Sequence, residues 1–136
     1  MRLAERLRDW RVLLPLGMVI LAGGAVGVQW YETHKKAELA MALTGGDPSR
    51  APWLMTRYGC AGCHTIGGIP GADGKVGPPL QGLIERVYIG GTAPNNAENL
   101  VRWLVEPQHF APHAAMPPPG IGEGEARDIA AYLYAH

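Results

Sequence analysis

Hydrophobic residues fall into two regimes along this chain. From Val12 to Tyr31, twenty consecutive residues carry no charge, about the length a helix needs to cross the hydrocarbon core of a bilayer. Pro15 falls near the start of that helix, where its missing N–H does least harm. Trp10, Trp30 and Tyr31 bracket the run at the places where aromatic belts form. Residues 32–43, ETHKKAELAMAL, contain good helix formers and neither Gly nor Pro, so the pattern predicts a polar stalk that continues the helix. The stretch Thr44-Gly45-Gly46-Asp47-Pro48-Ser49 then stops it. Beyond the stop, apolar residues recur only in short helical groups. Trp53, Leu54 and Tyr58 mark a helix running to about Tyr58, capped by Asp47 or Ser49. Leu100, Trp103 and Leu104 share a face of a helix that starts around Asn95–Ala97 and ends at Glu106, because Pro107 follows. Ile129, Tyr132 and Leu133 form the stripe of a last helix from about Glu123 to Tyr134. Residues 65–82 and the stretch QHFAPHAAMPPPGIG are rich in Gly and Pro and read as long loops. No β-branched run predicts a strand.

These breaks divide the chain into a basic terminus (1–11), an apolar helix (12–31), a stalk and linker (32–49) and a folded domain (50–136). The four arginines at positions 2, 6, 8 and 11 precede the apolar run, which places the amino terminus in the cytoplasm and exports the domain. A cleaved signal peptide is the alternative, with small residues at Gly23, Ala25 and Gly27. The run is longer than the usual 7–15-residue apolar region, and no A-x-A pattern precedes Trp30. A retained single-pass anchor in a bacterial inner membrane, with the domain in the periplasm, is therefore expected. Gly23 and Gly27 form a G-x-x-x-G pair, a weak pointer to helix packing.

Composition adds two constraints. Twelve basic and twelve acidic residues balance to zero, so bulk charge points to no nucleic acid. Nineteen glycines and twelve prolines in 136 residues, concentrated after Thr44, describe a small loop-rich domain whose core would be marginal alone. Something else must supply apolar contact.

Cys60-Ala61-Gly62-Cys63-His64 supplies the candidate. C-x-x-C-H is the attachment signature for a c-type haem: two thiols can reach the vinyl groups on one porphyrin edge, and the adjacent His can ligate the iron. Ala61 and Gly62 leave room for the porphyrin. A structural zinc site needs four ligands; with only two cysteines it would have to recruit His109 and His113 and leave His64 idle. A redox dithiol would need a strand before the motif, and a disulfide closing so short a loop stabilises little.

His64 leaves one axial position open. Met41, Met55, Met116, His109, His113 and His136 are the candidates. Met116 leads, since Pro117-Pro118-Pro119 stiffen the apolar loop that carries it and a thioether opposite His raises the reduction potential. His113 is the main rival. The carbonyl of Pro78, in Gly77-Pro78-Pro79-Leu80, is placed to accept from the other ring nitrogen of His64. Trp103, Tyr88 and Arg86 are candidate partners for haem propionates.

In order, CAGCHTI, VGPPLQG, NLVRWLVEP, AMPPPGI and ARDIAAYLYAH resemble a class I cytochrome c. The likeness covers residues 50–136 and is greatest to membrane-anchored monohaem cytochromes c and to the cytochrome c domain of subunit II in caa3-type oxidases, although no cupredoxin segment precedes the domain. The resemblance implies an all-α fold of three to four short helices and long loops around one covalent haem c. It implies thioether bonds at Cys60 and Cys63, axial ligands at His64 and Met116, a Pro78 carbonyl bonded to His64, and Tyr132 packed near Gly59. The implied function is single-electron transfer without catalysis of a substrate. Partners would be the membrane and redox proteins such as a quinol-oxidising complex, a terminal oxidase or a reaction centre, with no nucleic acid and no small-molecule substrate. The scattered carboxylates Glu85, Glu98, Glu106, Glu123 and Glu125 read as surface. A haem-based gas sensor or small haem enzyme with a labile sixth ligand is the alternative.

Overall fold

The computed structural model describes the backbone of residues 2–136 and the side chains of Trp10 and of residues 13–136. Helix α1 spans Arg2–Thr44 and includes both the apolar run and the polar stretch after it. The chain forms two compact units, residues 1–34 and Lys35–His136.

Among the described residues of the first unit, large apolar side chains are exposed, Leu13, Met18, Ile20 and Leu21 among them. A soluble core helix would bury such a face. The helix is long and apolar enough to cross a membrane. Trp30 and His34, one turn apart, bring their rings to 4.1 Å.

The second unit starts with the end of α1. Gly45 adopts φ +70° and accepts the reversal that ends the helix. Gly46 then lies against the backbone of Arg127 and Asp128, where a Cβ would come within 2.1 Å of the Arg127 carbonyl oxygen. Several contacts fasten this linker to the last helix. The Arg127 guanidinium donates to the Thr44 carbonyl at 2.9 Å, and the Asp47 N–H donates to Asp128 Oδ1 at 2.7 Å. Arg50 makes an ion contact with the nearly buried Asp128 at 2.9 Å, without hydrogen-bond alignment. Asp47 in turn caps the 3-10 turn Pro48–Arg50 by accepting from the Ser49 N–H.

Helix α2 (Ala51–Arg57) and the one-turn helix α3 (Cys60–Cys63) follow. Helix α4 (Ala97–Val105) is capped by the Asn96 side chain, which accepts from the Asn99 N–H, and it stops before Pro107 as the sequence predicts. Helix α5 is Glu123–Ala135. It packs against both α2 and α4, and Leu54, Met55, Leu100 and Ile129 are fully buried among them. This gives a mostly helical domain with long connections.

Two features were not expected. Residues Tyr88–Ile89 (β1) and Ala93–Pro94 (β2) form a small antiparallel hairpin around Gly90-Gly91. The second is Tyr132. Its nearly buried hydroxyl needs a partner, and it finds the Gly67 carbonyl at 2.7 Å while its ring stacks on His136. A hydrogen bond between the helices comes from Tyr58 on the α2 side, whose hydroxyl donates to Glu125 of α5 at 2.7 Å.

Candidate haem site

Gly59, at φ +73°, turns the chain from α2 into α3. The single turn of α3 puts Cys60 half-buried and Cys63 exposed, and the His64 N–H closes it on the Cys60 carbonyl at 3.0 Å. Burial raises the Cys60 thiol above its ordinary pKa. His64 itself is extended, at φ −116° and ψ 144°, so its side chain leaves the turn.

Loop 65–82 then folds back over the motif. The Gly77 N–H donates to the Cys63 carbonyl at 2.8 Å, and the Leu80 N–H to the Thr65 carbonyl at 2.9 Å. Thr65 Oγ1 donates to Gly74 O at 3.0 Å. Two glycines let this return run close: a Cβ on Gly74 would sit 2.6 Å from the Cys63 carbonyl carbon, and one on Gly77 only 2.2 Å from His64 Cε1. The proline pair that follows places the Pro78 carbonyl 2.8 Å from His64 Nδ1. A carbonyl can only accept, so Nδ1 carries a proton, and in the neutral ring the lone pair then falls on Nε2. Among the described residues no hydrogen bond reaches Nε2, which leaves it free to ligate.

Cys60, Cys63, His64, Pro78 and Met116 all line one cavity of about 390 Å³. Its apolar walls come from Leu80, Leu83, Ile89, Leu100, Leu104, Ile129 and Leu133. Well-packed domains leave few voids larger than a water, and a hollow of this size suits a bound organic group. The residues present therefore fit a haem on three counts: an apolar cavity, paired thiols at its wall, and an imidazole whose free nitrogen is fixed by its tautomer.

Of the candidates for the second axial position, Met116 and Met55 line this cavity, whereas Met41, His109, His113 and His136 do not. Met55 is fully buried on α2, as expected of a core residue. Arg86 and Trp103 line the cavity, and Tyr88 does not. Arg86 donates to the carbonyls of Pro79 and Gln81, which braces the proline pair. Trp103 lies over Gly90, where a Cβ would meet the indole at 2.0 Å. Among the described residues no three His, Cys, Asp or Glu side chains gather into a metal-binding group, so the four ligands of a zinc site are not assembled.

The fit of Gly77 to the His64 ring was not visible in the sequence, although G-P-P beside a ligand-bearing motif is a signal for close backbone approach. A family model for cytochrome c matches residues 50–135, and the chain belongs to the cytochrome c family. It is thus a haem-based electron-transfer protein with a class I cytochrome c domain, and the family's covalent haem c corresponds to a chain whose two cysteines are Cys60 and Cys63. Its partners are redox proteins. Neither curated proteins nor solved structures yield a significant match.

Proposed function

We propose that this protein is a membrane-anchored monohaem cytochrome c that passes single electrons on the periplasmic side of a bacterial inner membrane. It serves as a carrier, or as a subunit, in a respiratory or photosynthetic chain, and transforms no substrate. Cys60 and Cys63 hold the haem through thioether bonds, His64 and Met116 are its axial ligands, and the Pro78 carbonyl fixes the His64 tautomer. The haem supplies one-electron chemistry, its iron cycling between the +2 and +3 states. The observation that carries the reading is the meeting of those four side chains on one apolar cavity.

The protein surroundings suit that task. Leucine and isoleucine make much of the cavity wall apolar, which would lessen the solvent that must reorganise when charge changes. The exposed apolar helix supports the anchor, which would confine the domain to the membrane surface and raise its effective concentration near membrane partners. A quinol-oxidising complex upstream and a terminal oxidase or reaction centre downstream are the partner classes that such placement favours. Likeness to the cytochrome domain of a caa3-type oxidase subunit belongs to this proposal as well.

The test is an optical spectrum of the reduced, detergent-solubilised protein before and after carbon monoxide. A sharp c-type spectrum indifferent to carbon monoxide is expected of a six-coordinate carrier. A c-type spectrum that shifts would overturn the carrier reading in favour of a gas sensor or small haem enzyme with a labile sixth ligand.

A further inference from the structure

Met116 stands in a segment with few supports of its own. Helix α4 ends at Val105, and the 3-10 turn Pro107–His109 follows, seated by a fully buried Pro107. From there to α5 the chain runs without regular structure. Among the described residues, the hydrogen bonds to residues 112–120 are an Ala114 N–H to Ala111 O at 2.8 Å and two from one side chain. Gln108 Nε2 donates to Met116 O at 2.8 Å and, more weakly, to Ala114 O at 3.4 Å.

The orientation of that amide is forced. Both neighbours are carbonyl oxygens, so only the NH2 can face them. The other end, Oε1, is buried and has no hydrogen-bond partner. Leaving a buried acceptor without a protein partner costs free energy, and the opposite orientation would set Oε1 against two carbonyls. Gln108 therefore gives up its own acceptor in order to clamp the backbone of Met116 to the turn after α4. Three prolines after Met116 limit the backbone further, but they provide no N–H with which to hold it.

We propose that Gln108 is the positioning residue for Met116, holding its carbonyl so that the thioether stays at the cavity wall and controlling how readily the sixth coordination site opens. This rests on the reading of Met116 as axial ligand. Gln108 touches the ligand's backbone and does not line the cavity, so its removal should alter ligation while sparing attachment at Cys60 and Cys63.

The experiment uses the full-length, haem-loaded protein in detergent, as wild type, Gln108→Met, Gln108→Glu and Met116→Ala. Gln108→Met keeps the length and loses the donor. Gln108→Glu keeps the shape and sets a carboxylate against the two carbonyls, so either variant can carry the test if the other fails to fold. The readouts are the far-red charge-transfer band of thioether-ligated ferric haem, carbon monoxide binding by the ferrous form, covalent haem content and far-ultraviolet circular dichroism. Both glutamine variants are expected to keep haem content and helicity. They should lose at least half of the far-red band and bind carbon monoxide at least tenfold more readily, approaching Met116→Ala. If they match wild type while Met116→Ala loses the band, the positioning role is overturned and Met116 ligation stands. If Met116→Ala also matches wild type, the ligand assignment fails and the proposal falls with it.

Discussion

The two loops that face the cavity are held in opposite ways. Loop 65–82, on the histidine side, is fixed redundantly. Backbone bonds from Gly77 and Leu80, the Thr65 hydroxyl, the Pro78 carbonyl and the Arg86 guanidinium all converge on it, and two glycines press it against Cys63 and His64. The segment after Pro107, on the methionine side, has a few local backbone bonds, but around Met116 itself the hydrogen bonds come from one glutamine side chain, with proline stiffness beside it. The contrast fits the chemistry each side must do. On the proposed ligation, thioether formation at two cysteines would require a fixed turn, whereas the hold on a sulfur ligand could be adjusted. Redundancy on one side and a sparser hold on the other would let the sixth ligand vary without disturbing attachment.

The largest expected effect attacks the redundant side. Gly77→Ala drives a Cβ to within 2.2 Å of the His64 ring, and neither the ring, tied to Pro78, nor the backbone, tied to Cys63, can easily retreat. Overpacking of this kind costs about 3 kcal/mol. The yield of haem-loaded protein should fall sharply, and chemical denaturation of what remains should show the loss. Wild-type stability in this variant would show that the histidine side is less rigid than its contacts imply.

Next comes the methionine side. Met116→Ala should leave the covalent haem in place, open the iron to carbon monoxide and lower the midpoint potential by on the order of 0.1 V, a modest part of the ~0.8 V span that axial ligands set. Redox titration of the variant beside wild type measures this. An unchanged potential removes Met116 from the ligand set, and Met55, which also lines the cavity, becomes the residue to replace.

How much of this was legible beforehand follows the range of each interaction. C-x-x-C-H, the Asn96 cap, the stop before Pro107 and the break at Gly45 are written in a few adjacent residues, and the helices lie where those signals put them. The Pro78 contact is legible as well, since G-P-P-L offers a rigid carbonyl where the loop returns, and the resemblance implies the same. Contacts between distant residues were not. Nothing about Tyr132 announces Gly67, sixty-five positions away, nor does Gln108, in a polar context, announce the carbonyl of Met116. The hairpin at Tyr88–Ile89 and Ala93–Pro94 escaped for a different reason. Strands of two residues, one containing proline, carry no alternation to read, and Gly90-Gly91 looked like one more turn in a glycine-rich chain.

The smallest effect concerns the far end of the methionine loop, where it enters α5. Glu125 accepts from the Tyr58 hydroxyl at 2.7 Å and from the Gly122 N–H at 3.3 Å. The Tyr58 bond, foremost, holds the Glu125 carboxyl below its ordinary 4.5, and the same bond raises Tyr58 above 10.0. A depressed carboxyl pKa stabilises the fold above its unfolded value, and that contribution disappears as pH falls through the folded value. A raised phenol pKa stabilises below 10.0 and is lost as pH rises through the folded value. The clasp's stabilisation is therefore at its full value between about pH 4.5 and 10, and is lost outside that window as Glu125 passes below, or Tyr58 above, its folded-state value. In Tyr58→Phe the melting temperature should be lower than wild type at pH 7, and the gap should close as both are taken below pH 4.5. Thermal unfolding of the two proteins across that range decides it, because every other titrating group is common to both and cancels in the difference. A gap that stays constant into acid would mean that the charge on Glu125 adds nothing to the clasp between α2 and the end of the methionine loop.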